Sequence, residues 1–166
     1  AYVGSAAFFV IAPRTVAGMV PWLITHWRVQ PDTPAMSLVI GAAMAATGLA
    51  MVAESFARFA RTGGGTPAPV ARTQRLVVTG LYRYVRNPMY VGVLLLIFGQ
   101  MMLFSSAALL AYGVAIWTAF HVFVVFFEEH RLQREFGEEY ERYVAHVPRW
   151  IPRLAPWRPE AEKAGE

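Results

Sequence analysis

The stretch GLYRYVRNPMYVGVLLLIFGQMMLF, Gly80 to Phe104, puts three tyrosines and two arginines at the mouth of an unbroken apolar run. Pro88 reads as a first-turn helix residue, because its missing N–H falls where a helix leaves donors unpaired anyway. From Pro88 to Phe104 there is no charged side chain, so the run reads as a bilayer-spanning helix. Its polar and aromatic collar then marks the membrane interface, where such side chains anchor helices.

The rest of the chain supports this reading. Of 166 residues, 56% are hydrophobic and only 16% are charged, against roughly a quarter charged in soluble domains. We therefore expect an all-α, polytopic membrane bundle, one domain over residues 1–166, with about four spans at 2–27, 35–60, 88–104 and 107–127. Pro13 and Pro21 should kink the first span by removing backbone donors, and Arg14 near its middle must face a polar interior or snorkel. No basic leader precedes this run, which argues against a cleavable signal, and the absence of an initial Met leaves room for upstream residues. In the second span, Gly41, Ala45 and Gly48 offer small surfaces for close helix packing. Glu54 near its end reads as a solvated partner of Arg58.

Between Arg58 and Arg86 there are six arginines and no acid. That excess places the loop 58–87 on the cytoplasmic side, and two hairpins bring the C-terminus to the same side. After the last span, Leu132, Phe136, Tyr140, Tyr143, Val144 and Val147 recur at three- and four-residue spacing. This predicts an amphipathic helix over 128–147, lying at the interface or folded onto the inner mouth, and Pro148 and Pro152 end it.

Several chemistries are excluded. With no cysteine there is no thiolate nucleophile, disulfide or iron–sulfur site. TGGGT lacks the Lys-Ser/Thr of a phosphate loop, and no GxGxxG follows a strand. The four histidines form no HExxH pattern, and His121 and Glu128 lie ~10 Å apart along one helix, so no metal is expected. The net charge of +4 reports membrane orientation rather than nucleic-acid binding.

Two features remain at one depth. Tyr82, Arg83, Tyr84, Arg86, Asn87 and Tyr90 surround Pro88, whose helix start offers free backbone donors as an anion seat. Glu128 and Glu129 stand at the inner end of the fourth span. Opposed hairpin spans bring these ends together, and VPRWIPR can close over them. Singly each reads as an interface anchor; jointly they read as a site.

The strings LVVTGLYRYVRNPMYVG and, after one helical hairpin, EEHRLQREFGEEYERYVAHVPRWIP resemble the membrane methyltransferases that include isoprenylcysteine carboxyl methyltransferases and are related to phospholipid N-methyltransferases. The resemblance covers roughly Gln74 to Pro152. It implies S-adenosylmethionine held at the cytoplasmic face by Gln74, Arg75, Leu76, Val77, Tyr82, Asn87, Pro88, Met89, Tyr90 and Glu128. The implied acceptor is a lipophilic molecule: a prenylcysteine-like carboxylate, a lipid amine or a thiol. Glu129 or a tyrosine at the same depth is the expected proton acceptor if the nucleophile carries a proton, and Arg149 and Arg153 are expected to seat an acceptor headgroup or bind anionic lipid.

There are two departures. Asn87 stands where carboxyl methyltransferases usually have His, so no titrating role exists there. Val124 stands where they place a substrate-contacting arginine, so a prenylcysteine carboxylate is not the obvious acceptor. The alternatives are a non-catalytic membrane scaffold with a basic cytoplasmic face and a related membrane reductase using NADPH.

Overall fold

The computed structural model describes residues 12–62 and 76–158, and every regular element among them is helical. A π turn, Thr15–Met19, runs into α1, Val20–Thr25, and α2 follows over Ala35–Thr62. A 3-10 turn, Gly80–Arg83, precedes α3, Pro88–Phe104, and α4, Ala107–Phe123. A second π turn, Val124–Glu128, leads into α5, Glu129–Phe136, and α6 is Glu138–His146. The start of the expected first span and much of the arginine-rich loop, Gln74 and Arg75 included, lie outside the described residues.

Two helices are long and apolar enough to cross a bilayer, Ala35–Arg58 and the continuous rod Ala107–Phe136, while Pro88–Phe104 is apolar but shorter. Of the most apolar stretch of each long helix only 11% and 17% is buried within the protein, and Val39, Leu49, Val114 and Phe126 are exposed. The core helix of a soluble domain would hide such side chains. Hydrocarbon is the solvent that suits them, since helices satisfy their own backbone donors there.

α2 and α3 touch backbone to backbone. A Cβ on Gly48 would stand 2.5 Å from the Gly92 carbonyl oxygen, and one on Gly41 would stand 2.7 Å from that of Gly99. Small residues on both helices allow an approach that larger ones would prevent.

The first helix is repaired by its neighbours. Pro21 carries no N–H, and that N–H would have served Val16 in the π register or Ala17 in the α register. The two carbonyls find donors elsewhere: Tyr112 OH donates to Val16 O at 2.9 Å, and Gln100 Nε2 donates to Ala17 O at 2.7 Å. Ala17 also packs with Val93 and Ile97 in the membrane core. We expect Gln100→Leu to leave the Ala17 carbonyl without that partner and cost about 1–3 kcal/mol, measured as a lowered unfolding midpoint in detergent.

The C-terminal region differs from the single helix expected over 128–147. α4 continues through its π turn into α5 as one rod, which ends at Gly137 with φ +50°, a left-handed conformation that costs glycine little. α6 then folds back onto the segment that leads into α3. Tyr140, Tyr143 and Val147 form a second core with Leu76, Leu132, Phe136 and Trp157, whereas Val144 stays 38% exposed.

Tyr143 OH donates to the Tyr82 carbonyl oxygen at 2.7 Å, and burial pushes the Tyr140 and Tyr143 hydroxyls above their ordinary range. A raised folded-state value makes the neutral phenol the stabilised form. Its contribution is complete below about pH 10, the unfolded value, and is lost as pH rises toward the folded one. Alkaline titration should therefore undock α6 above about pH 10. Trp157 fluorescence reports the change, and no transition there would contradict it.

Candidate functional site

The N-terminal end of α3 and the C-terminal half of the α4–α5 rod converge. Asn87 occupies the N-cap position of α3, but its side chain makes no cap; Asn87 Nδ2 instead donates to the Arg149 carbonyl oxygen at 3.2 Å. Asn87 thus leaves the N–H groups of the first turn, which begins at the buried Pro88, without a side-chain cap of its own. In that turn Tyr90 OH donates to Glu128 Oε2 at 3.1 Å, while its ring tilts against Phe120 at 4.7 Å. The π turn before α5 shifts the rod's register just ahead of Glu128, and Val124 at its start is 1% exposed.

The adjacent acid has other partners. Glu129 Oε1 accepts from Arg86 Nη1 at 2.9 Å and from Arg149 Nε at 2.6 Å, and Oε2 accepts from Arg149 Nη2 at 2.9 Å. These hydrogen bonds hold the Arg149 guanidinium charged, above its usual range. Both oxygens of Glu129 are therefore engaged by cations, and the expectation of a free proton acceptor gives way to a strut. Of the two arginines expected to seat a headgroup or bind anionic lipid, each has a partner within the protein. Arg149 is committed to Glu129, and Arg153 Nη1 donates to the His146 carbonyl oxygen at 3.0 Å.

That strut holds down a strap, residues 148–157, which runs along the segment leading into α3. Arg86 N donates to Pro148 O at 2.9 Å, Arg153 N to Tyr84 O at 3.0 Å, and Trp157 N to Arg83 O at 2.9 Å. Arg83 Nε returns a bond to Trp157 O at 2.7 Å. Trp150 Nε1 donates to His121 Nδ1 at 3.2 Å. Indole can only donate, so Nδ1 is the acceptor and a neutral His121 carries its proton on Nε2.

The C-terminal end of α2 closes another side. Glu54 pairs with Arg58, as its sequence neighbourhood suggests, and the pair sits where a Cβ on Gly80 would fall. Ser55 is fully buried and faces Tyr82, whose phenol burial pushes well above its usual range. Of the expected cofactor residues, Asn87, Pro88, Met89, Tyr90 and Glu128 gather at one mouth. Tyr82 is buried beneath α6, Val77 is buried and Leu76 packs in the α6 core. Sequence reasoning passed over Arg131, although its spacing of three from Glu128 puts the two on one helix face. Among the described residues no group of three or more His, Asp or Glu side chains is placed to hold a metal ion.

A model of the phospholipid methyltransferase family matches residues 36–139. The chain belongs to the phospholipid methyltransferase family. The family match runs from α2 into α6, so it includes Tyr90, Glu128 and Glu129 but not the strap. Protein-S-isoprenylcysteine O-methyltransferase B of Arabidopsis thaliana is 28% identical over 135 residues, covering 80% of this chain and 64% of that protein. Protein-S-isoprenylcysteine O-methyltransferase of Schizosaccharomyces pombe is 38% identical over 78 residues, 46% of this chain and 33% of that protein. A probable protein-S-isoprenylcysteine O-methyltransferase of Oryza sativa subsp. indica is 28% identical over 152 residues, 91% of this chain and 75% of that protein. The chain thus spans less than two thirds of the length of the first two relatives.

Proposed function

We propose that this chain is an integral membrane, S-adenosylmethionine-dependent methyltransferase acting on a lipophilic acceptor. In this reading four spans carry the site at the cytoplasmic face. The observation that carries it is the Tyr90–Glu128 hydrogen bond, which joins an uncapped helix start to a carboxylate at the rim of an apolar bundle. The family match and the names of the relatives point to the same reaction class.

The residues present fit such a donor. The open N–H groups of the α3 first turn would take its amino-acid carboxylate, Glu128 would accept from its ammonium or ribose hydroxyls, and the Tyr90 ring would form a wall for adenine. Gln74, Arg75, Leu76, Val77, Tyr82, Asn87, Pro88 and Met89 complete the proposed shell. When bound, S-adenosylmethionine supplies a methyl group activated by a sulfonium. The chain's own task is then alignment of the acceptor with that methyl, with the strap keeping water out. Glu129 serves by pinning the strap through Arg86 and Arg149.

The test is calorimetry of S-adenosylhomocysteine against the whole protein in lipid nanodiscs, followed by label transfer from methyl-labelled donor. The acceptors offered are extracted native lipids and a prenylcysteine panel. We expect saturable binding and label in an organic-soluble small molecule. No binding would favour a scaffold, and binding of NADPH instead would favour a reductase.

A further inference from the structure

We propose that the strap is a membrane-inserted element, with Ile151 and Leu154 seated among lipid acyl chains at the bilayer boundary. The proposal rests on the α4–α5 rod crossing the bilayer and is independent of the reaction. Its first support is where the strap meets the rod. From Ala107 to Phe127 the rod carries no charged side chain, and His121 lies seven residues before Glu128, where charge begins. That is about 10 Å of helix. Arg149 bonds to Glu129, on the charged side of that limit, but its neighbour reaches the apolar side: Trp150 Nε1 donates to His121 Nδ1 at 3.2 Å. Trp117, about one turn deeper and 43% exposed, stacks on His121 at 5.5 Å, and the Trp150 ring lies 6.1 Å from the same imidazole. A row of three rings thus joins the lipid-facing surface of the rod to the strap, and tryptophan is a residue that anchors proteins at the bilayer boundary.

The second support is the sorting of the strap's side chains. Arg149 and Arg153 both turn onto the protein, the first to Glu129 and the second to the His146 carbonyl oxygen. The aliphatic side chains turn away from it: Ile151 is 79% exposed and Leu154 104%. In water the opposite arrangement is favoured, because apolar area is what water expels. The backbone also suits lipid, where unpaired donors are costly. Pro148, Pro152 and Pro156 have no N–H to satisfy, and the N–H groups of Arg153 and Trp157 are bonded to Tyr84 O and Arg83 O. Two aliphatic side chains make too small a patch for a stable protein partner, which covers roughly 800 Å² on each side, whereas hydrocarbon needs no matching surface. The cover of the candidate site is then held along one edge by the Glu129 ion pairs and along another by lipid.

Because the chain has no cysteine, a nitroxide can be placed at one site at a time. Ile151→Cys and Leu154→Cys are labelled in the whole protein in phosphatidylcholine nanodiscs. Val114→Cys, at an exposed position of the rod, is the lipid reference, and Glu139→Cys, at an exposed acid of α6, is the water reference. Spin relaxation reads collision with oxygen, which concentrates in hydrocarbon, and with a neutral nickel chelate, which stays in water. The oxygen-to-nickel ratio at positions 151 and 154 should exceed that at 139 several-fold and approach that at 114. A ratio equal to that at 139 would put the strap in water and overturn the proposal, while a lipid-embedded label at 114 would leave the spanning rod standing. Low access to both reagents would overturn it as well, because a protein surface such as a second copy of this chain would then cover the patch. A label at 114 open to the nickel chelate would remove the spanning rod and the proposal together.

Discussion

Glu128→Gln is expected to weaken S-adenosylhomocysteine binding by roughly ten- to hundredfold, the worth of one hydrogen bond to a charged group. The substitution keeps the side chain's size, and the glutamine carbonyl still accepts from Tyr90, which donates to Oε2 at 3.1 Å in the parent. The α3–rod contact therefore survives, and only the negative charge is removed. Calorimetry reads the affinity, and label transfer at saturating donor separates weaker binding from slower chemistry. Tyr90→Phe should do less, because it leaves the carboxylate in place and removes one neutral donor. Glu128→Gln protein that binds as tightly as the parent would show that this acid does not hold the donor.

The second large effect is expected at the α2–α3 seam. Gly48→Leu would force a side chain into a place where even a Cβ stands 2.5 Å from a backbone oxygen of α3. Backbone cannot swing aside as a flexible side chain can, so the helices must part. Overpacking of this kind costs typically about 1–3 kcal/mol and at times more. Parting α3 from α2 also displaces Tyr90, two residues from Gly92, so donor binding should fall along with the thermal midpoint. Gly18→Ala is the control. Its added Cβ meets nothing within 4 Å, and glycine inside a helix is itself destabilising by roughly 0.5–1 kcal/mol relative to alanine. It should leave stability unchanged or raise it slightly. Equal damage from both variants would mean that the glycine seam is not what holds the helices together.

Much of the scaffold is legible along the chain because it is written in local terms. Pro88 opens α3, the Ser105–Ser106 pair turns the chain into α4, and Gly41 and Gly48 announce a close neighbour without naming it. The break at Gly137 was not legible: helical periodicity runs across it, and a period alone does not reveal that the backbone turns left-handed there. The repair of the first helix was not legible. That Gln100 and Tyr112 would serve carbonyls freed around Pro21 depends on partners more than eighty residues away.

The sequence by itself determined that helices would form, which of them could live in hydrocarbon, and that acids and arginines would meet at one rim. Each of these follows from runs and periods in one dimension. Only the tertiary structure decided that Glu128 faces Tyr90 while Glu129, its immediate neighbour, faces Arg86 and Arg149. Consecutive helix residues point about 100° apart, so two identical side chains in a row belong to different surroundings, and which surroundings those are depends on what packs against each face.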